Sequence, residues 1–389
     1  MKILVTGGLG GIGRVTVARL LRHGHEVLAL DRLPEADVEQ DVWDVVRGAE
    51  YSPVDIRDFE ALRPHFAGMD AVIHLAALPD PNRGTEVEIF HINCTGSFNV
   101  YRAAADAGIR RVVSASSINA LGYGYSVRSF PIRYFPIDEA HPTFTSDPYS
   151  FSKQMLEETA AYFWRRERIS GVCLRFPFVF HTIAPWADQA RVFRGRWRRA
   201  FEELTTLSEN GRRARIDPLI AKFEAQRWER VAERPWSGDE SLDQGASSPD
   251  EMLMFGRSDF WTIISGEDAA LALEKGVLAI YEGSHPLFVC DRDNSVGVPS
   301  GQLAELYFPE VTMWKRSIEG TEALLSYDRA RELIGYEPER PLLAWFGQEQ
   351  RTRAGPAYLN QGKESVHETP RSIQTYCLSG SSLSRSWLQ

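Results

Sequence analysis

The chain has 389 residues, 43% of them hydrophobic, which is enough apolar material for one large domain with an added lobe. Acidic residues outnumber basic ones by 53 to 44, and the resulting net charge of -9 argues against a general electrostatic affinity for nucleic acid. The cysteines are far apart and match neither a zinc-ligand spacing nor a disulfide framework, so we expect reduced thiols at Cys94, Cys173, Cys290 and Cys377.

The first segment predicts a site for a dinucleotide. Lys2–Thr6 reads as a short strand, and Arg14–His23 has the apolar period of a helix. Between them Gly7 permits a tight turn, Gly10 lets a pyrophosphate approach the backbone, and Gly13 lets the helix lie close to the strand. The TGxxGxxG spacing departs from GxGxxG, and an ordinary glycine-rich loop is the alternative.

Further strands alternate with helical segments up to residue 180, which predicts a doubly wound α/β fold with a parallel sheet and helices on both faces. The predicted strands are Glu26–Asp31, Asp70–Ala76, Arg111–Ser116 and Gly171–Phe176. Ser97–Ala107 reads as a helix that ends at Gly108.

Asp31 ends the second predicted strand, where a carboxylate can accept hydrogen bonds from the ribose hydroxyls of an adenosine. This favours NAD over NADP, although Arg32 beside it leaves NADP open. Asp55 and Ile56 follow another short strand; Asp55 fits either the adenine edge of a cofactor or a plain helix N-cap.

The second half of the chain has a different character. We expect two amphipathic helices at Asp188–Leu207 and Ile216–Val231, weak strands at Trp261–Ser265 and Leu287–Cys290, and a short helix at Asp328–Leu333. These patterns predict a cofactor-binding domain over residues 1–180, a smaller, mostly helical substrate lobe with sheet-returning segments over 181–345, and a disordered tail over 346–389.

No apolar run approaches the roughly 18 residues of a membrane span. Because the first strand is predicted at residue 2, we expect no signal or transit peptide and a cytoplasmic protein.

Three polar residues predict proton-transfer chemistry. Tyr149 and Lys153 lie four residues apart on a predicted helix, so they share a face, and the lysine cation is expected to lower the pKa of the phenol into a working range. Ser117 ends a predicted strand at the edge where such sheets bind ligands. A surface helix and a turn-capping serine are the alternatives for each feature taken alone.

In combination these motifs resemble the extended short-chain dehydrogenase/reductases, specifically the NAD-dependent epimerase/dehydratase group. The matching segments are TGGLGGIG (6–13), Asp31, Asp55–Ile56, HLAA (74–77), Asn93 with Gly96 and Asn99, ASS (115–117), YSFSK (149–153) and LRFPFV (174–179). Later landmarks are Glu267–Ala270 and Asp328–Glu339.

The resemblance implies roles for the matching positions. Tyr149 would be the acid/base, Lys153 would bind the nicotinamide ribose and tune Tyr149, and Ser117 would orient the reacting oxygen. The other positions implied for NAD binding are Gly7, Gly10, Gly11, Ile12, Gly13, Asp31, Asp55, Ile56, Leu75, Ala76, Ala77, Asn93 and Pro177.

Departures from the family pattern concern the substrate. Ile118–Asn119 stands where 4,6-dehydratases carry an Asp-Glu pair, so dehydration is disfavoured. Phe178 and Trp261–Ser265 replace segments typical of members that handle UDP-hexoses, which leaves room for a sugar without a nucleotide. We assign Asn119 and Phe178 to the substrate side. An arginine cluster in the lobe reads as a solvated helix face rather than a phosphate site.

We therefore expect NAD-dependent oxidoreduction at a carbinol carbon of a sugar-type substrate, through epimerisation of a sugar or nucleotide sugar. The alternatives are an NAD(P)-dependent dehydrogenase of a small sugar, sugar acid or alcohol, and a non-catalytic dinucleotide sensor. We expect no metal site, including at His74, His91 or His181, and no nucleic-acid or membrane partner. A homodimer through Ser97–Ala107 and Tyr149–Arg165 is possible by analogy.

Overall fold

The computed structural model describes residues 1–180, 186–227 and 248–343, with the backbone alone for 186–194. Within these residues no helix is long and apolar enough to cross a membrane. The predicted tail, and the end of the helix predicted to reach Val231, lie outside the described residues.

Seven parallel strands form the central sheet in the order β3-β2-β1-β4-β5-β6-β9. Their bounds are Lys2–Thr6 (β1), Glu26–Asp31 (β2), Glu50–Pro53 (β3), Ala71–His74 (β4), Val112–Ser117 (β5), Gly171–Phe176 (β6) and Ser284–Phe288 (β9). A separate parallel pair joins β7, Phe178–Phe180, to β8, Ile263–Ser265. The strand order reverses between β1 and β4, and ligands of such sheets bind at that switch point.

Helices lie on both faces of the sheet. The first half contributes α1 Gly11–Arg22, α2 Gln40–Val46, α3 Phe59–Leu62, α4 Glu86–Phe90, α5 Gly96–Asp106 and α6 Pro148–Glu167. The second half contributes α7 Trp186–Thr205, α8 Glu209–Ala225, α9 Pro249–Met254, α10 Gly266–Leu278, α11 Ser300–Tyr307 and α12 Asp328–Ile334.

Strand side chains alternate between two apolar cores, which explains why the strands read as continuous hydrophobic runs. Ile3 and Val5 pack into the core that includes Leu273 of α10. Leu4 packs into the opposite core with Phe163 of α6. The doubly wound α/β fold predicted from the sequence is confirmed.

The second half also has a core of its own, rich in aromatic side chains and built around Trp197, Trp261 and Phe308. Its elements are not all separate from the sheet: α10 packs on α1, and β9 pairs with β6.

Three element boundaries were wrong. The second lobe helix begins at Glu209, not Ile216, because Ser208 caps a polar first turn that has no apolar period. The last strand is Ser284–Phe288 rather than Leu287–Cys290; Pro286 is tolerated because β9 lies at the sheet edge. The strand predicted from Trp261 starts at Ile263, because Phe260 and Trp261 have left-handed backbone angles.

Candidate functional site

The glycine loop between β1 and α1 contains three differently constrained positions. Gly7 has φ +68°, and a Cβ there would lie 2.7 Å from the Ala76 nitrogen. A Cβ on Gly13 would lie 2.0 Å from the Gly7 carbonyl oxygen. The fold itself therefore requires glycine at both positions. A Cβ on Gly10 would meet only the Gly7 carbonyl oxygen, at 3.3 Å, a tight contact that a shift of a few tenths of an ångström would relieve.

The N-terminus of α1 faces this loop. Gly10 is its N-cap, and no side chain caps the helix. The N–H groups of the first turn, in Gly11, Ile12 and Gly13, therefore remain available to an anion, and the helix dipole favours negative charge there. An uncapped helix with an open glycine at its start fits the pyrophosphate of a dinucleotide.

Asp31 ends β2 beside the same loop. Its carboxylate accepts hydrogen bonds from the backbone N–H of Arg32, at 2.8 Å, and of Leu9, at 3.4 Å. Burial raises its pKa, and these hydrogen bonds oppose that shift. The carboxylate is thus fixed against the glycine loop, which is the position that ribose recognition requires.

Asp55 and Ile56 have different surroundings. Asp55 pairs with Arg57, at 2.6 Å, and this partner lowers the pKa of the carboxyl. Ile56 is buried, and its carbonyl accepts a hydrogen bond from the Asn99 side chain at 3.0 Å. Within the described residues, Asp55 is therefore engaged in an ion pair rather than acting as a helix cap.

A polar chain starts at the buried ring of His74. The Nδ1 atom lies 2.8 Å from Thr6 Oγ1, and Nε2 lies 2.9 Å from Ser97 Oγ. Ser97 donates its hydroxyl hydrogen to the Asn93 carbonyl, so it accepts from His74 Nε2–H, and Nδ1 accepts from Thr6. Burial lowers the pKa of His74 to about 3, so the ring is neutral. It joins β1, β4 and α5.

Asn93 continues this chain from a π-helical turn, His91–Thr95. Its Oδ1 accepts from the Leu78 N–H at 2.8 Å, and its Nδ2 donates to the Leu78 carbonyl and to Ser152 Oγ, at 3.1 and 2.9 Å. Asn93 thereby fixes the segment after β4 to α6. A cleft lies between them, lined among others by Leu75, Ala76, Ala77, Asn93, Ala115 and Lys153.

Ser117 ends β5 and its hydroxyl is buried. It accepts from the backbone N–H of Asn119 at 3.1 Å and from the Asn119 side chain at 3.3 Å. The same hydroxyl lies close enough to the phenol of Tyr149 to lower the pKa of that phenol. The structure thus brings together Ser117, Asn119 and Tyr149.

Tyr149 and Lys153 lie on the first turns of α6. Asp147 caps this helix by accepting from the Ser150 N–H at 2.8 Å, and Pro148 occupies its first position. Tyr149 and Lys153 are each 6% exposed. Lys153 Nζ donates to the Ala115 carbonyl at 2.8 Å and lies 5.7 Å from the Tyr149 ring centroid.

Burial shifts the pKa values of both Tyr149 and Lys153. It raises the pKa of Tyr149 well above its usual range, and the nearby Ser117 hydroxyl opposes that shift. Burial also lowers the pKa of Lys153 to about 8. Desolvation thus disfavours the charged form of both groups, and the tuning of Tyr149 by Lys153 stays a prediction.

A buried ion pair that the sequence did not suggest supports this helix. Arg175 of β6 donates to both carboxylate oxygens of Glu157 on α6, each at 2.8 Å. Ser116 donates to the same carboxylate at 2.7 Å. Because Glu157 joins β5, β6 and α6, it fixes the helix that carries Tyr149.

Other predicted positions lie around the carboxyl edge. Pro177 is buried between β6 and β7. Phe178 is 41% exposed and packs edge-on against Phe180 and Phe255. His181 lies outside the described residues. Within the part of the chain that is described, no group of three or more potential ligands could hold a metal ion.

Sequence reasoning also missed Tyr125 and Asp259. The Tyr125 ring packs edge-on against Tyr149, with centroids 5.8 Å apart. The charge of Asp259 affects both phenols. Neither residue belongs to a motif with a regular period, so only the folded chain brings them to the site.

The fold and these contacts define a Rossmann-type protein in which the α1 N-terminus, the Asp31 carboxylate and the Ser117, Tyr149 and Lys153 side chains lie at the carboxyl edge of the sheet. The profile of the NAD dependent epimerase/dehydratase family matches residues 3–210, more than half of the chain. The chain belongs to that family, which confirms the resemblance seen in the sequence.

Curated relatives include a UDP-glucose 4-epimerase from Bacillus subtilis, 34% identical over 165 residues that cover 41% of this chain and 46% of the relative. Another is an L-arabinose 1-dehydrogenase (NAD(P)(+)) from Haloferax volcanii, 33% identical over 180 residues that cover 45% of this chain and 65% of the relative. The aligned part thus spans less than two thirds of either relative.

A solved structure of UDP-glucose 4-epimerase from Thermotoga maritima, with UDP-glucose, has a similar fold. Its TM-score is 0.55 at 18% identity, and the superposition covers 91% of this chain and all of that one. At this identity the similarity concerns the fold alone.

Proposed function

We propose that this protein is an NAD-dependent oxidoreductase that acts at a carbinol carbon of a sugar-type substrate. The observation that carries this proposal is the convergence of two buried hydroxyls, those of Ser117 and Tyr149, with Lys153 one turn along the helix from Tyr149. Two hydroxyls that converge beside a cationic lysine can bind one substrate oxygen and exchange a proton with it. A dinucleotide sensor has no need of that arrangement.

Residues of the glycine loop, β2 and the cleft have surroundings that fit different parts of a bound NAD. The first turn of α1, from Gly10 to Gly13, would receive the pyrophosphate, and Asp31 would bind the adenosine ribose. Leu75, Ala76 and Ala77 would form a wall of the cleft, with Lys153 at the nicotinamide ribose. When bound, NAD accepts or returns a hydride.

The side chains of the site would manage the proton. In oxidation, the carbinol carbon loses its hydrogen as hydride while the hydroxyl proton passes to the Tyr149 oxygen, which must first be a phenolate. In reduction, the protonated Tyr149 donates that proton back to the carbonyl oxygen, and Ser117 holds the same oxygen. Burial disfavours the phenolate, so the reductive half, in which Tyr149 starts protonated, would need no prior loss of its proton.

Epimerisation needs both halves, since a transient ketone must be reduced on its other face. The UDP-glucose 4-epimerase relatives favour this outcome, and we propose it as the first reading. Release of the oxidised product by a dehydrogenase is the second reading, favoured by the arabinose dehydrogenase relative, which aligns over a larger share of its length. Residues 181–345 would supply the substrate side of the cleft in either case.

Two measurements test the proposal. Protein purified and then denatured should release NAD, identified by mass spectrometry; retained NAD favours the epimerase. Tyr149→Phe should lower turnover of UDP-glucose or L-arabinose by about 100-fold or more while NAD binding stays nearly unchanged.

Tyr162→Phe is the matched control, since Tyr162 lies on the same helix and its hydroxyl contacts only Arg166 among the described residues. Turnover that survives in Tyr149→Phe would contradict the assigned role of Tyr149.

We also propose that the protein forms a homodimer. Exposed apolar side chains lie together on helices α4, α5 and α6: Val87, Phe90, Phe98 and Phe151 are 77, 46, 45 and 42% exposed. Phe90 stacks on Phe151, with centroids 6.1 Å apart. Such a patch is typical of an interaction surface, and a second copy would cover it. Sedimentation should give twice the chain mass, and Phe98→Glu should give the single mass.

We further propose a cytoplasmic location. In the described part of the chain Cys94, Cys173 and Cys290 are free thiols, two of them buried, which is consistent with a reducing compartment.

A further inference from the structure

The segment before β8 forms an unusual turn at the site. Gly256, Phe260 and Trp261 have φ values of +85°, +54° and +52°. Positive φ is costly for aromatic residues, and such strain persists only where the surroundings impose it. Here the fully buried rings of Phe260 and Trp261 are fixed in the second-half core. The strained turn therefore holds the residue before them, Asp259, in one place.

That place is beside the proton-transfer group. A Cβ on Gly124 would lie 3.5 Å from the Ser258 side chain and 2.4 Å from Asn119 Oδ1, so the turn packs against the wall that contains Asn119. Tyr125 follows Gly124 and contacts Tyr149. The charge of Asp259 acts on both phenols and raises their pKa values.

Asp259 differs from the other acidic groups near Tyr149. Asp147 is occupied as the cap of α6, and Asp80 pairs with Arg83 at 3.1 Å. Among the described residues, no donor or cation meets the carboxylate of Asp259; only its backbone groups form hydrogen bonds. The carboxylate is partly buried, and burial raises its pKa to about 7. A carboxylate in such a setting is stabilised when a ligand donates hydrogen bonds to it.

We propose that Asp259 determines substrate specificity: its carboxylate accepts hydrogen bonds from hydroxyl groups of a saccharide over Tyr149 and excludes a saccharide that carries a carboxylate there. This rests on the proposed oxidoreduction at Tyr149 and names its substrate class. The charges of Asp80, Asp147 and Asp259 each raise the pKa of the Tyr149 phenol, so together they make the surroundings of the phenol unfavourable for a further negative charge. A neutral sugar ring suits these surroundings, whereas a uronic acid does not.

The test measures sugar binding to the NAD-loaded protein by ligand-observed NMR and calorimetry. The probes are two pairs that differ only by a carboxylate: glucose with glucuronate, and UDP-glucose with UDP-glucuronate. Wild type should bind the neutral member of at least one pair at least tenfold more tightly than the acidic member. Asp259→Ala should lose tenfold or more for the neutral member, whereas Asp259→Asn, which keeps the shape but not the charge, should shrink the preference within the pair.

Controls separate this inference from the proposed function. Asp250→Asn removes a surface carboxylate that pairs with Arg215 and should bind as wild type does. The Asp259 variants should keep the NAD affinity and the thermal stability of wild type, which would show that they fold. Tyr149→Phe should lose turnover but keep the preference for the neutral sugar. If Tyr149→Phe keeps its turnover, the proposed function fails, and the role of Asp259 can still be judged from the binding measurements.

The inference is overturned if Asp259→Ala binds the neutral sugar within twofold of wild type, or if Asp259→Asn keeps the full wild-type preference within the pair. It is overturned equally if the acidic member binds more tightly, or if neither member of either pair binds.

Discussion

Replacing Gly10 and Gly13 separately by alanine distinguishes a glycine that serves the ligand from one that serves the fold. In Gly10→Ala the new methyl group would contact only the Gly7 carbonyl oxygen, at 3.3 Å, and the backbone φ of -66° suits alanine. Alanine is a poorer N-cap than glycine, so we expect a loss of unfolding free energy below about 1 kcal/mol. The methyl group would instead occupy the space through which a pyrophosphate reaches the first turn of α1.

In Gly13→Ala the methyl carbon would lie 2.0 Å from the Gly7 carbonyl oxygen and 2.9 Å from the Gly8 backbone. Backbone atoms cannot rotate away as a side chain can, so α1 must shift relative to β1. Overpacking of this kind costs about 1–3 kcal/mol or more. We expect lower thermal stability and weaker NAD binding together.

The assay is thermal unfolding beside calorimetric titration with NAD. Gly10→Ala should keep the stability of wild type but bind NAD at least tenfold more weakly, which is about 1.4 kcal/mol. Gly301→Ala is the matched control, since a Cβ there has no neighbour within 4 Å. If Gly10→Ala binds NAD within twofold of wild type, Gly10 does not face the pyrophosphate and the reasoning is refuted.

Two further predictions concern Asp31 and His74. Asp31→Ala should weaken NAD about tenfold and NADP less, because the carboxylate that binds the ribose hydroxyls also repels a 2′-phosphate; an unchanged ratio of the two affinities would remove Asp31 from the ribose site. Burial lowers the pKa of His74 from 6.5 to about 3 in the folded protein. Unfolding therefore takes up a proton below pH 6.5, and the stabilising contribution that is present above pH 6.5 is lost as the pH falls toward 3. Relative to His74→Gln, the unfolding free energy of wild type should fall by up to about 1.4 kcal/mol per pH unit in that window, and parallel chemical-denaturation profiles would contradict this.

The sheet could be predicted from sequence because its central strands, such as β4, β5 and β6, are buried along their whole length and therefore read as apolar runs. Ser117, Tyr149 and Lys153 could be assigned to one site for a related reason. The carboxyl ends of parallel strands share an edge, and a spacing of four on a helix fixes a common face.

Asp259 could not be found that way. It lies in a strained turn whose backbone is imposed by the buried rings of Phe260 and Trp261, and that packing comes from residues far away in the chain. The start of α8 at Glu209 was missed because its first turns have no apolar stripe and depend on the Ser208 cap. The burial of Tyr149, which raises the pKa of its phenol, could not be foreseen because spacing reveals a neighbouring charge but not desolvation.

The polar chain through His74 explains how the glycine loop and the helix that carries Tyr149 are held in place relative to each other. Hydrogen bonds run from the end of β1 through the ring to α5, and from Asn93 to Ser152 on α6, whose hydroxyl also donates to the Tyr149 carbonyl at 2.7 Å. The strand that leads into the glycine loop is thereby joined to the helix that carries the phenol. Because every link is buried and the ring is neutral, the connection carries no charge that a change near pH 7 would disturb. The glycine loop and the Tyr149 phenol are thus positioned relative to each other by hydrogen bonds within the protein.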